Sequence, residues 1–483
     1  MTNHKNNGSP RIGIASYYTN NRGIIIILGM ALVLRLAFFL VTQPWEDNVL
    51  KSKILIGDAH GYNRLAEELI DSGTLKSTYS QFRTPGYPYF ISIIYSTFGH
   101  NPWIILLIQN IINLLTLLGV YYFSALVFND KTLSHIAAVL YLLDPLPVYY
   151  STTLLTETFF STLLLYSIFS GFKGLQKEQL RYFIICGLFL GIGTLIRPIT
   201  LYFPLIVTII VLMWPQLNRL FRVYSILLFV ITFSMMILPW MIRNYYQYGY
   251  FSLTSIRGYN LLFYSAVATE YNKTGRSYPE LRRDFTHKAI ALGATGGEPT
   301  FKDSKIHNRI AFNYLKNNWK TYLPLHLRGM IAIFLDPGIV GMCDYLGLKH
   351  KKFYVKYNAE YTSLFGMIIG YFKLKPISEI IVSIPVIIYL GIIYFSFIVG
   401  FIYMVRDKEY ALIIFLSFII IYFTILPGVI GHARYRVPII PYYLLFSVYG
   451  MLKILNRNKQ HTLKLYFGKR PSGNVLSKYE KTY

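Results

Sequence analysis

Residues 23–42 read GIIIILGMALVLRLAFFLVT, an apolar run that is interrupted by a single arginine. A helix needs about 20 residues to cross the hydrocarbon core of a bilayer, and this run has that length. It is too long for the core of a signal peptide, and no small-residue cleavage site follows it. We therefore predict a signal-anchor helix. Residues 1–22 hold Lys5, Arg11 and Arg22 but no acid, which predicts a cytoplasmic N-terminus.

The composition extends this reading to the whole chain. Of 483 residues, 54% are hydrophobic and only 14% are charged, whereas soluble domains carry about 25% charged residues. We predict an all-α polytopic membrane protein with about ten spans (range nine to thirteen) and long outer loops that carry amphipathic helices. The short apolar segment 86–99 is interpreted as interfacial or re-entrant. The further spans are predicted at 102–128, 133–150, 152–171, 182–197, 199–214, 223–241, 377–404, 410–430 and 437–454.

The net charge of +25 does not indicate a nucleic-acid partner, because the basic residues lie in short segments between apolar runs. We predict one membrane unit over residues 23–455, with outer loops at about 43–101 and 242–376. Residues 456–483 are predicted to form a basic cytoplasmic tail that meets anionic membrane lipids. No cluster of Cys and His has metal-binding spacing, so we predict no metal site and no cofactor, and a divalent metal stays an open alternative without support in the sequence.

The first outer loop contains Gly-Asp-Ala-His-Gly-Tyr at residues 57–62. Residues 59–71 are predicted to form a helix that stops at Gly73. Helical spacing then places Asp58 and Tyr62 on the face that carries its buried apolar residues. Two roles for Asp58 remain open at this point: a carboxylate that accepts a proton from an incoming hydroxyl, or the N-cap of the helix.

The same loop ends in a rigid turn, Arg-Thr-Pro-Gly-Tyr-Pro, at residues 83–88. An arginine held at a membrane boundary can grip a phosphate in bidentate fashion. The alternative is an arginine that snorkels to lipid headgroups. We predict that Arg83 contacts an anionic group and leave its source open.

Two acidic residues, Asp144 and Glu157, lie inside predicted spans. A carboxylate in the bilayer costs about 2.5–3.5 kcal/mol on insertion scales, so such residues usually face a cavity or a partner. Glu157 is predicted to lie about six residues below the outer end of its helix, where it can line a cavity. A structural ion pair is the alternative, with Arg197, Arg243 or Arg35 as partner.

A fourth motif, Gly-His-Ala-Arg-Tyr-Arg-Val-Pro at residues 431–438, precedes the last span. Short outer turns rarely hold two arginines. An anionic ligand would compensate the charge of Arg434 and Arg436 beside His432, and a lipid phosphate is the natural candidate. Contact with lipid headgroups is the alternative. The predicted topology brings all four motifs to the outer face.

These motifs, in this order, resemble the GT-C glycosyltransferases. The resemblance covers roughly residues 23–455 and is strongest to protein O-mannosyltransferases, aminoarabinose–lipid A transferases and bacterial proteins similar to dolichyl-phosphate-mannose–protein mannosyltransferases. It rests on Asp58 with Tyr62, on the turn at 83–88, on Thr156-Glu157 and on the closing motif.

The resemblance implies that Asp58 is the catalytic base and that Arg83 contacts the phosphate of a carrier lipid. Many relatives have two adjacent acids where this chain has Asp58-Ala59. This departure weakens the transfer of a protein-mannosylating activity and of a metal-dependent mechanism.

We therefore predict a hexosyl- or pentosyltransferase of the bacterial inner membrane that uses a polyprenyl-phosphate-linked sugar on the periplasmic face. The acceptor is a hydroxyl of a lipid, a glycan or a protein. Asp58 is the predicted base, and Arg83 with Arg434 or Arg436 stabilises the leaving phosphate. Tyr62, Glu157 and His432 are predicted to bind substrate. The alternatives are a transporter or flippase of a lipid-linked anion, and a non-catalytic scaffold.

Overall fold

The structure of the chain is a computed structural model that describes residues 14–215, 217–350 and 364–455. Helices make up 83% of it, and no β-strand occurs within these ranges. The all-α prediction is therefore confirmed. Most of the predicted cytoplasmic N-terminus (residues 1–13) and the predicted basic tail (residues 456–483) lie outside the described residues.

The helices follow one another with short connections along most of the chain. In chain order they are α1 (Ile14–Thr42), α2 (Asp47–Val49), α3 (Asp58–Ser72), α4 (Gly86–Phe98), α5 (Pro102–Phe128), α6 (Lys131–Leu143), α7 (Pro145–Ser151), α8 (Glu157–Lys177), α9 (Arg181–Ile196), α10 (Phe203–Met213), α11 (Arg219–Tyr248), α12 (Ile256–Asn260), α13 (Val267–Thr274), α14 (Tyr278–Ala291), α15 (Phe301–Asn317), α16 (Trp319–Leu335), α17 (Val340–Tyr345), α18 (Leu364–Leu374), α19 (Ile377–Arg406), α20 (Tyr410–Ile425) and α21 (Ile440–Leu455). Short 3₁₀ segments are Thr78–Gln81, Pro198–Tyr202, Gly428–Ile430 and Ala433–Ile439, and π-helical segments are Leu50–Ile54 and Leu261–Ala266.

Five of the described helical segments are long and apolar enough to cross a membrane, because about 20 residues of helix span about 30 Å. They are Asn21–Thr42, Pro102–Phe128, Arg219–Tyr248, Ile377–Arg406 and Ala433–Leu455. Shorter apolar helices are Lys131–Leu143, Arg181–Ile196, Pro198–Met213 and Tyr410–Ile425. The chain is a membrane protein, while the count of about ten spans stays a prediction.

The segment predicted as one span at 133–150 is divided into α6 and α7 at Asp144. The residue before a proline is disfavoured in the α region, and Pro145 follows directly. Asp144 has extended backbone angles, and its carboxylate accepts the Leu146 N–H at 3.0 Å. Asp144, the first of the two acids inside predicted spans, is therefore a buried N-cap between two helices.

Helices α19 and α21 pack closely through a pair of glycines. A Cβ on Gly400 would lie 1.9 Å from the carbonyl oxygen of Phe446, and a Cβ on Gly450 would lie 1.9 Å from that of Ser396. Small residues let helix backbones approach in this way inside a bilayer. This contact fixes the last helix, which follows the closing motif, against the body of the protein.

Helix α3 agrees with the prediction from the sequence. It begins at Asp58, one residue before the predicted start, and its C-cap Gly73 has a φ of 69°, the left-handed conformation that glycine favours. The predicted inward face is buried at Tyr62, Leu65, Ala66 and Leu69. The N-cap, however, is Gly57 and not Asp58, so the carboxylate of Asp58 is free to make other contacts.

Helices α12–α15 form a compact unit, here called the loop lobe (residues 256–317). Its own hydrophobic core consists of Leu262, Phe263, Ala266, Val267, Leu281, Phe285, Ala311 and Leu315. The lobe is held to the first loop through Gln81, whose side-chain oxygen accepts the Phe301 N–H at 3.0 Å. The described part of the predicted loop 242–376 thus covers the end of the bundle where α3 lies.

Candidate active site

Residues from four distant parts of the chain meet in one ion-pair network. Arg83 Nη2 lies 2.6 Å from Asp58 Oδ1, and Arg434 Nη1 lies 3.1 Å from Asp58 Oδ2. The Nε of Arg434 lies 2.6 Å from Glu157 Oε1, and Arg197 Nη1 lies 3.0 Å from the same oxygen. We call Asp58, Arg83, Glu157, Arg197 and Arg434 the charge cluster. The structure thus brings together one residue from each of the four motifs.

Arg83 is positioned by the turn that follows it. The hydroxyl of Thr84 donates to the carbonyl of Ile196 at 2.8 Å, which ties the turn to the end of α9. A Cβ on Gly86 would lie 2.8 Å from the carbonyl oxygen of Leu195, so only glycine allows this approach. The guanidinium also lies 5.1 Å from the centre of the Tyr62 ring, a cation–π contact.

Arg434 is positioned by the 3₁₀ segment before α21. His432 is the N-cap of that segment, and its Nδ1 accepts the Arg434 N–H at 3.0 Å. Glu157 pairs with the Nε of Arg434 and fixes its position. The side chain of Glu157 is fully buried at the start of α8. The Oε2 of Glu157 is also buried and has no hydrogen-bond partner among the described residues.

The electrostatics of the charge cluster follow from its composition. Three guanidinium groups face two carboxylates, which leaves one net positive charge. Burial by itself would raise the pKa of the Asp58 carboxyl, but the charges and hydrogen bonds of Arg83 and Arg434 outweigh it and hold that pKa well below its ordinary value. Asp58 is therefore ionised at neutral pH. Burial raises the pKa of Tyr62, so that phenol stays neutral.

A large cavity opens beside the cluster. Its volume is about 1270 Å³, above the ~300–1,000 Å³ of pockets that hold a single drug-sized ligand. Asp58, Arg83, Arg197 and Arg434 lie on its surface, and the loop lobe supplies one wall. Ten tyrosines line it: Tyr62, Tyr149, Tyr150, Tyr202, Tyr259, Tyr264, Tyr322, Tyr345, Tyr371 and Tyr435. The cavity thus combines three ion-paired arginines and the carboxylate of Asp58 with many amphipathic rings.

Two predicted site residues do not face the cavity. Arg436 is fully buried, and its Nη1 donates to the carbonyl groups of Ile333, Phe334 and Asp336 at 3.0–3.2 Å. In a 3₁₀ helix with three residues per turn, side chains two positions apart point in different directions. Arg434 and Arg436 therefore cannot both reach one ligand, and Arg436 holds the end of α16 instead. Glu157 holds Arg197 and Arg434 and does not line the cavity.

The remaining predicted residues, Tyr62 and His432, do lie on the cavity surface. Sequence reasoning named Arg197 only as a partner for Glu157, and that ion pair is confirmed. It missed Asp344 and Tyr264, which also line the cavity. Neither lies in a recognisable motif, so no local signal marked them. Within the described ranges, no three His, Cys, Asp or Glu side chains converge as metal ligands.

Comparison with known proteins bears on the fold and the family. Residues 83–242 match the family described as dolichyl-phosphate-mannose-protein mannosyltransferase. The oligosaccharyltransferase of Archaeoglobus fulgidus in its apo form has the same fold, with a TM-score of 0.51 and 13% identity. The match covers 95% of this chain and 54% of that one, so this chain spans about half the length of the oligosaccharyltransferase.

Two structures of ArnT from Cupriavidus metallidurans are also similar, each with 13% identity and a TM-score of 0.38. The apo form is matched over 91% of this chain and 78% of that chain, and the form bound to undecaprenyl phosphate over 89% and 78%. No curated protein matches the sequence. The family match over residues 83–242 and the fold shared with the oligosaccharyltransferase agree with the resemblance to GT-C glycosyltransferases that the motifs predicted.

Proposed function

We propose that this protein transfers a sugar from a polyprenyl-phosphate carrier to an acceptor hydroxyl, with Asp58 as the general base. The observation that carries the proposal is that Arg83 and Arg434 both form ion pairs with Asp58 at the edge of a large cavity. Arginines arranged in this way bind phosphate oxygens, and a carboxylate beside them lies next to the bond that must break.

The charge of the cluster supports a monophosphate-linked donor. A sugar joined to a lipid through a phosphodiester carries one negative charge, which equals the one net positive charge of the cluster. A diphosphate linkage would carry more negative charge than the cluster neutralises. The dolichyl-phosphate-mannose in the description of the matching family is a donor of the first kind.

The reaction is a single inverting displacement. The acceptor oxygen attacks the anomeric carbon while Asp58 takes the hydroxyl proton, and the bond from that carbon to the phosphate oxygen breaks. The lipid phosphate leaves with the bonding electrons. Arg83 and Arg434 stabilise its charge in a partly buried site, where such contacts are strongest. One carboxylate is enough, because a phosphate is a good leaving group without a general acid.

Donor binding also explains how Asp58 can act as a base although its arginine partners lower its pKa. Both arginines are directed at this carboxylate, which makes it a weak base. A phosphate that binds the same guanidinium groups draws them from Asp58 and raises its affinity for a proton. Glu157 keeps Arg434 in position during this exchange, because its bond to Nε is separate from the Nη1 bond to Asp58.

The predicted orientation completes the proposal. We place the cavity on the periplasmic side of a bacterial inner membrane, with both termini in the cytoplasm. The membrane unit is residues 23–455, with loops at 43–101 and 242–376. Tyr62 and His432 contact the substrate or hold the arginines that do. The acceptor is a lipid, a glycan or a protein.

The test is a deletion strain complemented at matched membrane levels with the wild type, Asp58→Asn or Asp71→Asn, followed by mass spectrometry of envelope glycolipids and glycoproteins. Asp71 is an exposed acid on the same helix and serves as the control. We expect one species to lack a single sugar mass, which the wild type and Asp71→Asn restore. If Asp58→Asn restores it equally well, Asp58 is not the base, and a transporter or scaffold becomes the better interpretation.

A further inference from the structure

The cavity has an acidic side chain outside the charge cluster. Asp58, Asp336 and Asp344 are the acids on its surface. Asp58 is held by two arginines, and Asp336 accepts hydrogen bonds from two backbone N–H groups. The backbone carbonyl of Asp344 accepts the Gly347 N–H at 3.2 Å, but its carboxylate has no hydrogen-bond or ion-pair partner among the described residues. Its carboxylate is therefore an acceptor available to a ligand in the cavity.

Asp344 is held on a fixed element. It lies in α17 between Cys343 and Tyr345, which are both buried. The Tyr345 hydroxyl donates to the carbonyl of Thr152 at 3.3 Å, and its own carbonyl accepts from Lys53 Nζ at 3.2 Å. A binding residue on a well-anchored element presents its ligand atoms in a defined geometry.

The wall that carries Asp344 continues to the phosphate-binding arginine. The ring of Tyr149 lies 5.5 Å from that of Tyr345. Gly341 leaves room for this ring, since a Cβ there would overlap the Tyr149 hydroxyl. Tyr149, Asp344 and Arg434 all lie on the surface of the cavity. A molecule whose phosphate is bound by Arg434 can therefore extend along this wall towards Asp344.

The chemistry of the wall selects hydroxyl groups. A carboxylate forms charge-assisted hydrogen bonds to hydroxyls, and two carboxylate oxygens match two neighbouring hydroxyls of a sugar ring. Tyr149 and Tyr345 offer apolar ring surface with polar edges beside it.

We propose that Asp344 binds hydroxyl groups of a sugar in the cavity and determines which sugar the protein accepts. This inference rests on the proposed function and adds the residue that confers specificity. The sugar is that of the donor or one of a glycan acceptor, and the two sources share the same chemistry.

The donor source is tested with the purified full-length protein in detergent and two kinds of probe. Farnesyl phosphate reports on the arginines alone, and farnesyl phosphates that carry mannose, glucose or arabinose add a sugar. We expect the wild type to bind at least one sugar-bearing probe more tightly than farnesyl phosphate. Asp344→Asn should lower that preference about ten-fold, the effect of losing one charge-assisted hydrogen bond. Its affinity for farnesyl phosphate and its thermal stability should match those of wild type and Asp71→Asn.

The acceptor source is tested with methyl glycosides of the same sugars at saturating farnesyl phosphate. A loss of methyl glycoside binding in Asp344→Asn, with an unchanged preference among the farnesyl probes, assigns Asp344 to the acceptor. If neither kind of sugar probe gains affinity from Asp344, the proposal is overturned. Absence of farnesyl phosphate binding in the wild type, or its survival in Arg83→Gln, would instead contradict the proposed function.

Discussion

Arg434 and Glu157 form an ion pair of 2.6 Å between Nε and Oε1, although 277 residues separate them in the chain. The same guanidinium also reaches Asp58 through Nη1 at 3.1 Å. A single arginine thus joins the closing motif to the start of α8 and to the first loop. The geometry of the charge cluster depends on this one side chain and on the buried carboxylate of Glu157.

Glu157→Gln should lower the stability of the fold and slow the release of the lipid phosphate product. Removal of one partner from a buried ion pair costs about 3–5 kcal/mol, because Arg197 and Arg434 lose their compensation. The cluster would then carry two net positive charges, which suits a dianionic lipid phosphate. We expect a lower melting temperature in detergent and a larger stabilisation by farnesyl phosphate than in wild type.

The control for this change is Glu280→Gln, which breaks an exposed ion pair with Arg276 and should leave the melting temperature almost unchanged. If Glu157→Gln melts like this control and gains nothing from farnesyl phosphate, the charge balance of the cluster does not govern phosphate binding.

Arg83→Lys should impair donor binding although the charge is kept. A lysine offers a point charge, whereas the planar guanidinium binds Asp58 and Tyr79 through separate nitrogens and can grip a phosphate with two. We expect KM for a polyprenyl-phosphate sugar to rise about ten-fold or more. The measurement is initial-rate kinetics in detergent, with Arg64→Lys, an exposed arginine of α3 paired with Glu298, as the control. Equal kinetics of the two variants would rule out a bidentate role for Arg83.

The acidic side of the pH profile should be flat down to about pH 5. Asp58 works as a base only when it is unprotonated, and its pKa in the free protein lies below the ordinary value of about 3.9. A lowered pKa means that the ion pairs of Asp58 contribute stability above the unfolded value and lose it as the pH falls through the folded one. We therefore expect kcat/KM to show no acidic limb from Asp58 between pH 5 and 7.

The histidine beside the cluster provides the control for this profile. His432→Asn keeps an N-cap acceptor for the Arg434 N–H but removes the imidazole. An acidic limb near pH 6 that persists in this variant would contradict a strongly ionised Asp58 in the free protein.

Gly86→Ala should lower activity through the position of Arg83. A Cβ at Gly86 would lie 2.8 Å from the Leu195 carbonyl oxygen, and backbone on both sides cannot yield easily. We expect lower stability and an activity loss of at least ten-fold, measured by thermal unfolding and by transfer rate. Gly29→Ala in α1 has no described atom within 4 Å of the new Cβ and should stabilise its helix by up to about 1 kcal/mol. If both substitutions behave alike, the close approach of the turn to α9 has no role.

Local patterns account for much of the fold. The helical spacing of apolar residues and Gly73 predicted α3 to within a residue at each end, because amphipathic period and caps are properties of neighbouring residues. The same is true of the long apolar runs at Pro102–Phe128 and Ile377–Arg406. The split at Asp144 was not predicted, because the apolar run 133–150 was interpreted as one span, although the effect of Pro145 on the preceding residue is local.

What the sequence by itself determined is the membrane class, the superfamily motifs and their common end of the bundle, because length, polarity and short-range spacing are written in consecutive residues. Only the tertiary structure decided that Gly57 caps α3, that Arg434 and not Arg436 reaches Asp58, and that Asp344 faces the cavity. Those outcomes depend on the direction in which each side chain points and on whether it meets a partner that is tens or hundreds of residues away in the sequence. Ion pairs and cavities are made by such long-range packing, for which no single stretch of sequence carries a signal.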